Sequence, residues 1–277
     1  MITADTRVIA LIGDPVGHSV SPAMHDAAFK ALGLNYIYLA FRVPVAGLAQ
    51  AIEGIRGLGL AGANVTIPHK TAVLPLLDSV NSQANRIGAV NTIMNQNGRL
   101  IGYNTDASGF LAALKGGSFE PEGKKAVVLG AGGVARAAVF ALGDAGASVA
   151  IVNRTAAAAR KLAGETGSSV FEMTENGFHA ALEGVSLVVN ATSVGMSPDD
   201  GSTPLPATFL RPGMTVIDTV YRPRRTRLLA EAEAAGCTVV GGLEMLVEQG
   251  ALAFELWTGI PAPRQVMRQA AAEALLP

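Results

Sequence analysis

The stretch "VVLGAGGVARAA", residues 127–138, limits the fold of this chain more than any other. An apolar strand runs straight into Gly130-x-Gly132-x-x-Ala135 and then into residues of helical spacing. That order fits the first turn of a βαβ unit, where small residues allow a tight turn and the close approach of a pyrophosphate. The helix amino terminus then offers amide hydrogens to the phosphates. Gly130, Ala131, Gly132, Gly133, Val134 and Ala135 are therefore candidate dinucleotide contacts. The bland alternative is a tight turn that holds no ligand.

The end of the next strand decides which dinucleotide. In "AIVNRTAAAARKLA" no acidic residue is present to bond the adenosine ribose hydroxyls of NAD. Asn153, Arg154 and Thr155 stand there instead, and a guanidinium can pair with a 2′-phosphate. The expected cofactor is NADP. Read blandly, Arg154 is an ordinary solvated arginine.

At 277 residues the chain is longer than most single cores, so two domains are expected. Hydrophobic residues make up 49%, which excludes disorder. A net charge of -1 without a basic tract argues against nucleic acid. The start "MITADTRVIALIGD" lacks the pattern of a signal peptide, and no uncharged apolar stretch reaches spanning length. One cysteine, Cys237, allows no internal disulfide, and the four histidines form no metal signature. A cytoplasmic protein with no membrane, nucleic-acid or metal partner is expected, and a homodimer is compatible with the sequence.

Val- and Ile-rich runs alternate with Ala- and Leu-rich segments of helical spacing, the pattern of an α/β protein with mainly parallel sheets. Expected strands in the first third are Arg7 to Ile12, Asn35 to Val43, Gly62 to Ile67, Ala89 to Asn95 and Leu100 to Asn104. Asn97-Gly98 marks a hairpin between the last two. Ser21 reads as an N-cap before Pro22, and Pro44 can open the helix that carries Leu48, Ile52 and Ile55. A helix runs from Asp106 to about Lys115. Periodicity then breaks over Gly116 to Gly123, where a first boundary is expected. Beyond it, strands are expected at Ala126 to Leu129, Ser148 to Val152, Leu187 to Val189, Thr215 to Asp218 and Thr238 to Val240, with a helix at Val134 to Leu142. Leu243 to Trp257 has helical spacing, but pattern alone does not place it on either domain.

Ligands of open α/β sheets gather beyond the carboxyl ends of strands. Ser19 and Ser21 follow the first strand, Asn64, Thr66 and Lys70 belong to the third, Asn91 lies in "GAVNTI", and Asp106 ends "GYNTD". Pro68 cannot extend a strand ladder, so Lys70 sits at or just past a strand end. Hydroxyls and amides both donate and accept, while a lysine and a carboxylate can move a proton. The set suits a small hydroxylated anion. Each member also has a plainer reading: Ser21 and Asp106 as helix caps, Asn91 and Asn104 as turn residues, His69 as a packed or solvated neighbour, and Lys70 as a surface lysine.

Taken together, "GDPVGHSVSPAMH", "NVTIPHK", "IGAVNT", "GYNTD", "GAGGVARA", "NRT", "NATSVGM", "DTVYRPRRTRLL" and "GGLEMLVEQGALAFELWTG" resemble the shikimate dehydrogenase family over nearly the entire chain. The resemblance implies NADPH-dependent reduction of 3-dehydroshikimate to shikimate. It also implies a substrate domain formed by residues 1–105 and 243–277, a Rossmann-like NADP domain at 106–242, and a cleft where they meet. By the same resemblance Ser19 and Ser21 bind the substrate carboxylate, and Asn64, Thr66, Asn91 and Gln249 contact its hydroxyls. Lys70 and Asp106 would form the catalytic pair. Tyr221 and Met245 would line the nicotinamide end, with Thr192, Ser193, Val220 and Gly242 beside the cofactor.

Departures from the family pattern are Asp26 for asparagine, Gln83 for glutamate, and Ala158 where a second basic residue often follows "NRT". The last softens the expected NADP preference. Rival readings are a quinate or aminoshikimate dehydrogenase using NAD and a non-catalytic metabolite sensor. A thioester-forming reductase would need a cysteine early in the chain, and Cys237 lies elsewhere.

Overall fold

Alternation along β1 (Arg7–Gly13) divides the first sheet into two faces. Ala10 and Ile12 join Ala63 and Val65 of β3 (Gly62–Val65) in a core sealed by Leu48, Ile52 and Ile55 of α2 (Leu48–Gly57). These helix residues fall at i, i+4 and i+7, one stripe of a helix, and burying each contributes about 1.5–3 kcal/mol. On the opposite face Gly62 leaves room for Trp257: a Cβ there would lie 2.5 Å from its indole nitrogen. Trp257 Nε1 donates to Ile93 O at 2.9 Å. That contact places the carboxyl-terminal helix whose position spacing alone left open.

A computed structural model describes residues 2–276 and separates into two compact units, Met1–Asp106 with Val247–Pro277, and Ala107–Leu246. The first also contains α1 (Ser21–Ala31), β2 (Tyr36–Arg42), β4 (Ser79–Val80), α3 (Ser82–Ile87), β5 (Thr92–Gln96) and β6 (Arg99–Tyr103). Its sheet order is β2-β1-β3-β5-β6-β4. The β1 pairings with β2 and β3 and the β4–β6 pairing are parallel, while β5 runs antiparallel to β3 and β6. Asn97 and Gly98 join β5 to β6 with φ of 53° and 91°, the left-handed pair of a tight hairpin. Helix α4 (Asp106–Gly116) begins at the first boundary.

The second unit comprises β7 (Lys125–Leu129), α5 (Gly133–Asp144), β8 (Ser148–Val152), α6 (Ala156–Thr166), β9 (Ser169–Phe171), α7 (Glu175–Ala181), β10 (Leu187–Asn190), β11 (Thr215–Asp218), α8 (Arg227–Ala234) and β12 (Thr238–Val240). Helix α9 (Gly242–Thr258) contains the second boundary, and α10 (Arg264–Glu273) packs on α1. Every pairing in this second sheet is parallel, in the order β12-β11-β10-β7-β8-β9. Reversal of strand order between β7 and β10 is the Rossmann arrangement. Val127, Leu129, Val188 and Val216 form its core with Leu182, Leu228 and Leu229.

Some local expectations change. Ser21 does not cap α1: Met24 N donates to Val20 O, so Val20 takes the first helical bond and Ser21 is already helical. The third strand ends at Val65 rather than Ile67, because Thr66 O turns to accept from His69 N. The segment 156–181, for which the sequence pattern suggests no elements, holds α6, β9 and α7, whose short lengths and polar faces blur their periods. Among the described residues no helix is long and apolar enough to cross a membrane.

Candidate active site

Three turns at strand ends assemble the candidate site of the first unit. Beyond β3 the chain bends at Thr66, and a Cβ on Gly13 would strike Thr66 Cγ2 at 2.3 Å, so β1 must end in glycine for the bend to fit. Val90 N donates to Lys70 O at 2.7 Å, which fixes the lysine backbone against the segment carrying Asn91. Past β6, the chain enters α4 at Asp106, whose carboxylate sits at the favourable positive end of an 11-residue helix.

Lys70 Nζ meets Asp106 Oδ2 at 2.6 Å, with the two residues 9% and 3% exposed. Asn91 Nδ2 donates to Asp106 Oδ1 at 2.9 Å. Each carboxylate oxygen thus has its own donor. Asn91 Nδ2 also meets Thr105 Oγ1 at 2.9 Å and Gln249 Oε1 at 3.2 Å, and Asn91 Oδ1 accepts from Thr105 N at 2.7 Å and Thr92 Oγ1 at 3.1 Å. Asn91 therefore acts as the hub that orients Asp106.

Asn64 is held with similar completeness. Its Nδ2 donates to Asn91 O and Thr92 Oγ1, each at 3.0 Å, and its Oδ1 accepts from Tyr38 Oη at 2.7 Å. Because Asn91 O can only accept, the amide orientation is determined. One acceptor position on Oδ1 is all that Asn64 can still offer. Tyr38, 1% exposed, stacks on His25 with ring centroids 4.5 Å apart and an interplanar angle of 8°. Burial pushes His25 down to about 3, which leaves a neutral ring. Neither of its nitrogens meets a hydrogen-bond partner.

The structure links Lys70, Asp106, Asn91, Asn64 and Gln249 by hydrogen bonds. Ser19 and Ser21 are linked to each other, Ser19 Oγ accepting from Ser21 N at 3.2 Å. Thr66 is half-buried, immediately after β3. His69 is a packed neighbour, with Nε2 at 2.7 Å from Val43 O. Asp26 is structural as well, since its Oδ1 accepts from the amide of Tyr38 on the edge strand β2. Sequence reading missed Tyr38, Thr92 and Thr105. The period-2 rule puts Tyr38 on the face opposite Ala10, but nothing local in the sequence names its partner.

In the second unit Gly130 has φ of 117°, and a Cβ there would lie 2.9 Å from Ala191 O. Gly132, the cap residue of α5, has no side-chain capping bond and open space where a Cβ would point. These features fit a pyrophosphate resting on Ala131 to Ala135. Arg154 is exposed after β8, and Asn153 Nδ2 donates to Thr155 O at 2.9 Å. Thr192 donates to Asn190 Oδ1 through both amide and hydroxyl, while Ser193 is exposed. A Cβ on Gly242 would lie 2.5 Å from Val220 O, so these two candidates adjoin. Tyr221 is half-buried and Met245 is 5% exposed. Among the described residues no cluster of His, Cys, Asp or Glu could hold a metal.

Comparison with known proteins gives the same reading over the length of the chain. Residues 11–93 match the family described as shikimate dehydrogenase substrate binding domain, 111–196 match shikimate / quinate 5-dehydrogenase, and 242–272 match shikimate 5'-dehydrogenase C-terminal domain. A shikimate dehydrogenase (NADP(+)) of Moorella thermoacetica is 50% identical, covering 99% of this chain and 95% of its own. A shikimate dehydrogenase solved with NADP+ superposes with a TM-score of 0.95 at 41% identity, covering 100% of this chain and 98% of that one. The Thermus thermophilus enzyme, solved with NADP(H) and shikimate, gives 0.90 at 45% identity, covering 97% and 100%. By sequence and fold the chain belongs to the shikimate dehydrogenase family.

Proposed function

We propose that this chain is an NADP-dependent oxidoreductase that reversibly reduces 3-dehydroshikimate to shikimate, a step of aromatic amino acid biosynthesis. The observation that carries this reading is the buried Lys70–Asp106 pair, 2.6 Å apart, inside a cradle of amides and hydroxyls. NADPH, when bound, would supply the hydride for the C3 carbonyl. Lys70 gives a proton to the developing alkoxide, and Asp106, held by Asn91, aims the ammonium at that oxygen. In the reverse direction Lys70 takes the proton from the hydroxyl.

Ser19 and Ser21 receive the substrate carboxylate, while Asn64, Thr66, Asn91 and Gln249 read its hydroxyls. Asn64 reads by accepting, since both hydrogens of its amide are committed within the protein. A hydroxyl reaches Asn91 by replacing one of its present partners. Tyr221 is proposed as a further substrate residue. Gly130 to Ala135 cradle the pyrophosphate, Asn153, Arg154 and Thr155 take the adenosine 2′-phosphate, and Thr192, Ser193, Val220, Gly242 and Met245 take the nicotinamide half. Residues 1–105 with 243–277 act as the substrate domain and 106–242 as the NADP domain.

Purified protein assayed with shikimate or quinate and with NADP or NAD, following the absorbance of reduced nicotinamide, tests the assignment. Shikimate with NADP should be the best pair, and quinate with NAD as the best pair would overturn it. The protein is also proposed to work in the cytoplasm, in keeping with its single cysteine, and as a homodimer. Leu39 and Phe41, on one face of the edge strand β2, are 40% and 44% exposed and support pairing of two copies. Cell fractionation and sedimentation velocity check these two points.

A further inference from the structure

Asn190 and Asp218 end the adjacent parallel strands β10 and β11 and are partners in register. Both are buried, at 0% and 1% exposure. Asn190 Nδ2 donates to Asp218 Oδ1 at 2.9 Å and to Val194 O at 3.2 Å, and Asn190 Oδ1 accepts from Thr192 N and Oγ1 at 3.1 and 2.7 Å. Asp218 Oδ1 also accepts from Val220 N at 3.0 Å, and its Oδ2 accepts from Thr226 Oγ1 at 2.6 Å. Thr226 Oγ1 in turn accepts from Leu229 N at 3.3 Å, capping α8. One amide and one carboxylate thus tie the loop after β10 to the loop after β11.

The three groups on Asp218 all donate, and no cation stands among them. Burial pushes its carboxyl up to about 6 against the pull of those hydrogen bonds. A buried carboxylate without a cation is costly. Its retention here has a geometric reason: only a group that accepts on both oxygens suits three donors, whereas asparagine would turn an amino group toward one of them.

In a sheet of this order the two halves of a dinucleotide divide at the strand reversal, adenosine over β7 to β9 and nicotinamide over β10 to β12. Thr192, Ser193 and Val220 lie in the two loops that the Asn190–Asp218 pair joins. We propose that Asp218 is a positioning residue for the nicotinamide half of NADP: acting through Asn190, Val220 and Thr226, it holds both loops in the one arrangement that receives the ring. This inference rests on the NADP reading above.

The test is the affinity of Asp218→Asn for NADP and for adenosine 2′,5′-bisphosphate, which has the 2′-phosphate and lacks the nicotinamide half. Affinity for NADP should fall about tenfold or more, because a displaced loop loses contacts made only by that half. Affinity for the bisphosphate should stay within about twofold, as β7 to β9 are untouched. Equal losses for both ligands, or no loss for either, would overturn the proposal. If Asp218→Asn does not fold, Asn190→Ala should give the same split. A wild-type chain that binds neither ligand would overturn the NADP reading itself, a result distinct from a variant that behaves as wild type.

Discussion

Asn91 Nδ2 donates to Oδ1 of Asp106 at 2.9 Å, the carboxylate oxygen that Lys70 does not take. The arrangement separates two roles on one carboxylate. Oδ2 faces Lys70, the proposed proton donor, and Oδ1 is anchored to a hub that also holds Thr105, Thr92 and Gln249. A carboxylate held on one side cannot rotate away when its partner lysine changes charge.

Replacement of Lys70 by alanine should lower kcat by about 10²- to 10⁴-fold, the usual worth of a placed proton donor. The KM for shikimate should change much less, because the missing interaction belongs mainly to the transition state. Steady-state kinetics in both directions check this. Unchanged kcat with a raised KM would make Lys70 a binding residue only.

Tyr38→Phe removes the hydroxyl that fixes Asn64 Oδ1 and leaves the buried ring in place. A lost hydrogen bond of about 1 kcal/mol corresponds to roughly a fivefold rise in the KM for shikimate. Little change in kcat is expected. An unaltered KM in initial-rate measurements would show that Asn64 needs no help to hold its orientation.

Arg154→Ala should weaken NADP by about tenfold or more, in line with a charge-assisted contact to the 2′-phosphate, and leave NAD nearly unaffected. Titration with each cofactor reads the difference. Comparable losses for the two would remove Arg154 from the selectivity determinants and shift attention to Arg160 and Lys161, both exposed on α6.

His25 gives a pH prediction. Burial lowers its pKa from 6.5 to about 3, so the unfolded chain binds a proton between those values that the folded chain refuses. Its contribution is fully favourable above pH 6.5 and is lost as pH falls through 6.5 toward 3. At a pH of about 4.5 the loss is about 3 kcal/mol. In His25→Phe, which preserves an aromatic ring against Tyr38, urea unfolding at pH values of about 7 and about 4.5 should show that much less acid destabilisation. Equal acid losses in the two proteins would mean that water or a neighbour accommodates the charged ring.

Much of this site was legible as a set of polar residues placed just beyond apolar strands. Lys70 and Asp106 declared themselves because a proline just past an apolar run and a helix that starts at an aspartate are local events. Their pairing was not legible from spacing, since 36 positions separate them. Tyr38, Thr92 and Thr105 were invisible for a related reason: a tyrosine in a strand or a threonine in a hairpin reads as ordinary sheet composition. What distinguishes them is the partner that folding delivers from another element.

The sequence by itself determined the α/β class, the strand-turn-helix built on Gly130 and Gly132, and the hairpin at Asn97-Gly98. Each depends on backbone freedom or hydrophobic period within a few residues. Only the tertiary structure decided that Val20 rather than Ser21 receives the first bond of α1, that Trp257 returns to Gly62, and that Asp218 closes on Asn190. Those contacts depend on which strands lie side by side, and adjacency in a sheet is set by the packing of the whole layer rather than by any one stretch of chain.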